Sequence, residues 1–82
     1  MSYSFSIIVP VYNEINIIEK FIKKLVSTFK DYNSKIIFIN DGSSDGTTEW
    51  LKNNLIKFFS NNNFELIDLK KIMAKAMQLE KE

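Results

Sequence analysis

The chain has no cysteine and no histidine, and all eleven of its basic residues are lysines. Lack of cysteine excludes disulfides and a thiol nucleophile. Lack of histidine excludes an imidazole base and, with cysteine also missing, the usual zinc ligand sets. A cysteine-free chain suits a reducing compartment. Without arginine there is no planar fork to grip a phosphate bidentately, so phosphate must be met by backbone N–H groups, a lysine, a metal or a partner. Net charge is +1, too small a bias to draw the chain to nucleic acid or an anionic membrane. No apolar run approaches the roughly 20 residues of a membrane span, and the N-terminus lacks the basic-then-apolar pattern of a signal peptide. The expectation is a cytoplasmic chain that binds no nucleic acid and has no transmembrane segment.

Hydrophobic content of 45% and charged content of 26% are ordinary for a globular protein. A chain of 82 residues buries only about 60–65% of its unfolded surface, so its core is small. It is one small domain or part of a larger one.

The sequence alternates two periods. Phe5-Ser6-Ile7-Ile8-Val9 is a short apolar run that reads as a strand buried on both faces and ended by Pro10. Ile18, Phe21, Ile22, Leu25, Val26 and Phe29 then recur at helical spacing, with lysines on the other side and Glu19 four residues before Lys23. Lys35-Ile36-Ile37-Phe38-Ile39 predicts a second strand. A second helix begins near Thr47 and buries Leu51, Leu55, Phe58 and Phe59. Asn61-Asn62-Asn63 breaks it. Residues 64–69 predict a shorter, half-polar strand, and residues 71–82 a last helix with a thin apolar face. Strands separated by helices of this length are parallel, joined by right-handed crossovers. The expected class is α/β, a three-layer Rossmann-like βαβαβα half-domain. No internal repeat or linker divides residues 1–82.

In open parallel sheets, ligands bind outside the carboxyl ends of the strands. Both polar clusters fall there: Tyr12-Asn13-Glu14 after the first strand, and Asn40-Asp41-Gly42-Ser43-Ser44 after the second. Tyr12 offers a flat face for a base, while Glu14 and Asp41 offer acceptors for ring N–H groups and ribose hydroxyls. Each also has a plain structural role. Asn13 suits an N-cap, Glu14 suits the first-turn macrodipole, and Ser44, Asp45 and Thr47 are ordinary turn and cap residues. Trp50 suits helix packing, and the lysines between Lys20 and Lys30 suit a solvated face.

Three site motifs fail on their spacing. Residues 41–46 copy the first half of a calcium loop, but its twelfth position is Lys52 rather than a bidentate acid, and a strand precedes it. A dinucleotide site calls for G-x-G-x-x-G after the first strand, where this chain reads Val9-Pro10-Val11-Tyr12-Asn13-Glu14. No G-x-x-x-x-G-K-S/T phosphate loop is present.

Taken together, "SIIVPVYNE" and, some thirty residues on, "IIFINDGSSDGTTEWL" closely resemble the start of family 2 glycosyltransferases, inverting enzymes of GT-A fold. The likeness spans roughly residues 4–70 and is greatest to members that move a sugar from UDP or GDP to a lipid phosphate or a growing glycan. It implies that Pro10, Tyr12 and Glu14 line a nucleotide pocket, and that Asp41 accepts a hydrogen bond from the base. It implies that Asp45 shapes the loop. It also implies a phosphate-side lysine after the third strand, carried here to Lys75, although Ile72 and Ala74 stand where that loop is otherwise polar and flexible. The family's Asp-x-Asp element, which holds Mg²⁺ or Mn²⁺, has no counterpart among the 82 residues, nor has its later general base. The resemblance therefore implies a truncated nucleotide-sugar-binding part, inactive by itself. The alternative is a non-catalytic interaction module or gene remnant that self-associates through an open sheet edge, or pairs with a partner supplying the missing half-sheet.

Overall fold

The structure, a computed structural model, describes residues 5–60 and 63–80, with side chains as far as Leu79 in the last helix. Its elements run β1 (Phe5–Val11), α1 (Ile18–Phe29), β2 (Ser34–Asn40), α2 (Thr47–Phe58), β3 (Phe64–Asp68) and α3 (Leu69–Glu80). The three strands form one parallel sheet in the order β1-β2-β3. The α/β class and the alternation are those expected from the two periods.

Register decides what each face carries. Val9 pairs with Phe38, and Phe38 with Leu66, so these side chains share a face. Val9, Val11, Ile36 and Phe38 on that face join Ile18, Ile22 and Leu25 of α1 and Leu51 and Leu55 of α2 in one buried cluster. Two right-handed crossovers stepping the same way along a sheet put both helices on one side of it. Phe38, fully buried at the middle strand, is the largest side chain of this core. Phe59, just past α2, turns back to lie 5.9 Å from Phe38 and 6.0 Å from Phe64, centroid to centroid. Glu19 and Lys23 pair at 3.0 Å on the exposed face of α1, worth a few tenths of a kcal/mol, about 0.3–0.5.

The other face is thin. Ile8 is 55% exposed, so β1 is covered on one side rather than on both. Ile37, Ile39 and Ile67 are half-buried there, and Lys35 meets Glu65 at 3.7 Å. Helix α3 follows β3 without a connecting residue and touches β2, yet residues 70–79 are exposed throughout. Phe21, at a core spacing in α1, is 37% exposed.

Several expected boundaries move, and β2 runs from Ser34 through Asn40 rather than from Lys35 to Ile39. Pro10 does not end β1: the strand continues to Val11, and Pro10 pairs with Ile39. The Asp41 N–H donates to the Val11 carbonyl at 3.0 Å, so Val11 directs its amide groups toward β2 and its neighbour Pro10 directs its nitrogen outward. A proline in an edge strand costs no ladder bond there. Leu69 opens α3 instead of closing β3. Asn61 and Asn62 of the expected break lie outside the described residues, and Asn63 turns back with its N–H on the Ser60 carbonyl. No helix among the described residues is long and apolar enough to cross a membrane.

Candidate functional site

The C-terminal rim of the sheet is built from two loops, residues 12–17 after β1 and 41–46 after β2. Val11 and Asn40 are the last paired residues of adjacent strands, so Tyr12 and Asp41 leave the sheet side by side. Strand spacing sets their backbones roughly 5 Å apart. Tyr12 is 59% exposed, and its ring meets no other aromatic ring among the described residues. Asp41 is exposed, and its carboxylate makes no hydrogen bond or ion pair among them. Glu14 is half-buried, with its side chain likewise unpaired. Pro10 lies one residue inside the strand, exposed, with its ring on the Ile8 face.

A chain of hydrogen bonds fastens one loop to the other. The Asn13 N–H donates to Ser43 Oγ at 3.0 Å, and the Ser44 N–H donates to Asn13 Oδ1 at 2.7 Å. The Glu14 N–H donates to Thr47 Oγ1 at 2.9 Å, and the Ile15 N–H to Asp45 Oδ2 at 3.1 Å. Beneath them Asn40 is buried, its Oδ1 accepting from Ser43 Oγ at 2.6 Å and its Nδ2 donating to Thr48 Oγ1 at 2.5 Å. No buried polar side-chain atom among the described residues lacks a partner, as a buried polar network requires.

Three backbone positions make this possible. Asn13 takes φ 47°, and Gly42 and Gly46 take 70° and 100°. Asn reaches the left-handed region more readily than most residues with a side chain, and glycine without penalty. Asn13 is therefore no N-cap: α1 begins at Ile18, its N-cap position is Ile17, and no side chain caps it. Glu14 precedes the helix too, and its carbonyl accepts from the N–H groups of Ile17 and Ile18 at 3.0 and 2.8 Å.

Asp45 shapes the loop, as the resemblance implied. Its carboxylate accepts from the Thr47 hydroxyl, from the Thr47 N–H at 3.0 Å and from the Ile15 N–H. The Thr47 hydroxyl is the main cause that holds its pKa below the ordinary 3.8, partial desolvation opposing and the backbone donors adding to it.

Lys75 stands in the middle of α3, exposed, about 9 Å along the helix axis from Leu69. No described contact joins it to Tyr12, Glu14 or Asp41. The lysine beside the rim is Lys70: a β-carbon placed on Gly42 would lie 3.8 Å from Lys70 Cδ. Sequence reasoning passed over Lys70, and it named Asn40 and Asn13 without the roles they play in fastening the loops. Asn40 had a signal, since it has the strand parity of the core residues Ile36 and Phe38. A concavity of about 240 Å³ at the opposite end of the strands, walled by Leu25, Phe29, Tyr32, Phe58 and Phe59, holds none of the expected site residues.

An open parallel α/β sheet with polar loops at its carboxyl rim is thus the architecture. The family model for glycosyl transferase family 2 matches residues 6–77, and the chain belongs to that family. No curated protein and no solved structure matches it. Chemistry in this family often calls for a divalent metal, but no group of three or more histidine, cysteine, aspartate or glutamate side chains among the described residues could hold one. The described residues do not fit a metal centre.

Proposed function

We propose that the rim binds the nucleotide of a UDP- or GDP-sugar, and that residues 1–82 act as the nucleotide-sugar-binding unit of an inverting glycosyltransferase. Membership of the family supports the reaction class. The observation that carries the reading is the unpaired carboxylate of Asp41 beside the open ring of Tyr12. A carboxylate in that state is free to accept the N3–H of uracil or the equivalent N–H edge of guanine. Tyr12 supplies a face for base or ribose, Glu14 accepts from ribose hydroxyls, and Pro10 forms the floor. Lys70, and further along α3 Lys75, supply positive charge on the side where the diphosphate leaves.

In the inverting reaction an acceptor oxygen, from a lipid phosphate or a glycan hydroxyl, attacks the anomeric carbon. The bond from that carbon to the diphosphate breaks, and UDP or GDP departs. Stabilising the departing charge and deprotonating the acceptor are the costly parts of such a step. The described residues offer no metal cluster for the first and no partnered base for the second. The 82-residue chain therefore binds donor without transferring sugar, at the cytoplasmic side where nucleotide-sugars are available. Equilibrium titration of the purified chain with UDP and with GDP tests this. Saturable binding lost in Asp41→Ala supports it, and equal binding by both proteins overturns it.

A second reading, an interaction module, is favoured by the sheet's open edge. β1 has no charged residue along Phe5–Val11, and Ile8 and α3 residues Ile72, Met73, Met77 and Leu79 are each more than half exposed. Edge strands are usually guarded by charge, so this one suits a further strand from a partner or a second copy. Sedimentation at rising concentration tests it, and a monomer throughout argues against self-association.

A further inference from the structure

We propose that Asn13 is a positioning residue, which sets Tyr12 and Glu14 in place relative to Asp41. The proposal rests on the nucleotide reading of this rim. Asn13 is the residue between Tyr12 and Glu14, and its φ of 47° reverses the chain there. Its backbone and side chain both reach across to the other loop: the N–H donates to Ser43 Oγ at 3.0 Å, and Oδ1 accepts the Ser44 N–H at 2.7 Å. Ser43 is in turn fixed by buried Asn40. Asp41 lies two residues before Ser43, and its own N–H is held by the Val11 carbonyl.

Asn13 thus closes a ring that contains Tyr12 and Asp41 at its two corners. Without the side-chain amide, the first loop keeps its root in β1 and the bonds from its own N–H groups to Ser43, Thr47 and Asp45, but loses the one that ties its turn to the Ser44 N–H. A binding rim gains affinity when its groups are held before the ligand arrives, because less ordering is left to do on binding. Asn is suited to the position on two counts, since it tolerates the left-handed backbone and carries an acceptor at short reach.

Three variants separate these counts. Asn13→Gly keeps the backbone freedom and removes the acceptor. Asn13→Asp keeps both. Ser43→Ala removes the hydroxyl that accepts the Asn13 N–H, the second bond Asn13 makes to that loop, and serves if Asn13→Gly does not fold. Each is titrated with UDP and with GDP, and amide exchange is followed in the ligand-free protein. Asn13→Gly should weaken nucleotide binding about five- to tenfold, the size of one net hydrogen bond. It should also speed exchange at Ser44 and shift the Tyr12 and Asp41 amides, with Phe38 and Leu51 still protected. Asn13→Asp should keep Ser44 exchange within about twofold of the parent, because its carboxylate still accepts the Ser44 N–H.

Parental affinity and parental Ser44 exchange in Asn13→Gly would overturn the proposal, as would Ser44 exchange in Asn13→Asp as fast as in Asn13→Gly. If the parent protein binds neither nucleotide, the nucleotide reading fails by itself. The exchange and amide shifts at Ser44, Tyr12 and Asp41 then decide whether Asn13 sets the loop.

Discussion

Replacing Thr47 with valine isolates what the polar clasp contributes to the fold. Thr47 is fully buried at the start of α2, so its neighbours leave no room for water to replace a lost bond. Valine matches its shape and removes only the hydroxyl, which is why the exchange is not a neutral one. That hydroxyl accepts the Glu14 N–H at 2.9 Å and donates to Asp45 Oδ1. In Thr47→Val the Glu14 N–H loses its partner in a part-buried site, at a cost of about 1–3 kcal/mol. Losing the bond to Asp45 acts in the same direction. Thr47→Ser keeps the hydroxyl and gives up one methyl, worth about 0.8 kcal/mol. A domain of this size has a total stability of about 4–12 kcal/mol, so the difference is readable. With a urea m-value of about 1 kcal/mol/M, Thr47→Val should lower the midpoint by about 1–3 M and Thr47→Ser by less than about 1 M. Trp50 fluorescence reports the transition, because Trp50 stacks on Phe58 at 6.2 Å. Exchange at the Glu14 amide should accelerate in the valine variant alone. A valine variant as stable as the serine variant, with the Glu14 amide still protected, would refute the reasoning.

Other outcomes follow from the same geometry. Asp45, with its pKa depressed in the fold, contributes stability that is full above about pH 4 and is lost as pH falls through its folded pKa. Carboxyl carbon shifts followed by NMR should give Asp45 a midpoint below 3.8, and a midpoint at or above that value contradicts the bonding described. Asp41→Asn should weaken UDP and GDP binding by about tenfold or more, the size of a bond to a charged group, and leave the urea midpoint unchanged. Lys70→Met should weaken UDP more than it weakens uridine, whereas Lys75→Met should affect both less. Calorimetric comparison of the two ligands distinguishes these lysines, and a larger effect at Lys75 would return the phosphate side to the middle of α3.

Much of this architecture is written in the period of the side chains. The i, i+3, i+4 run from Ile18 to Phe29 and the apolar Ile36–Ile39 stretch specify α1 and β2 locally, and two parallel crossovers follow from their order. What depended on neighbours across the sheet was harder to read. Pro10 ends a strand only if its nitrogen is needed in the ladder, and β1 turned out to be an edge strand whose position 10 faces outward. The same edge position exposes Ile8, which an apolar run alone made look buried. Asn13 looked like an N-cap because it stands before a helix, but residues 14–17 form a turn first, and its amide serves the second loop thirty residues away. The two polar clusters were visible as clusters, and parallel topology was enough to put them on one rim. That they are tied together by Asn13, Thr47 and Asp45 required the register of β1 against β2. Lys70 came to light only because α3 starts directly after Asp68, which brings the first turn of that helix against Gly42.

The central claim is that the rim at Tyr12, Glu14 and Asp41 receives a nucleotide. A ¹H–¹⁵N NMR titration of the labelled chain with UDP and then GDP tests it most directly. The account predicts saturable shifts confined to residues 10–14, 40–46 and the start of α3, with the amides around the concavity at Phe29 and Phe58 unmoved. A dispersed spectrum that ignores both nucleotides, or one whose shifts gather at Phe29 and Phe58 instead, would contradict it.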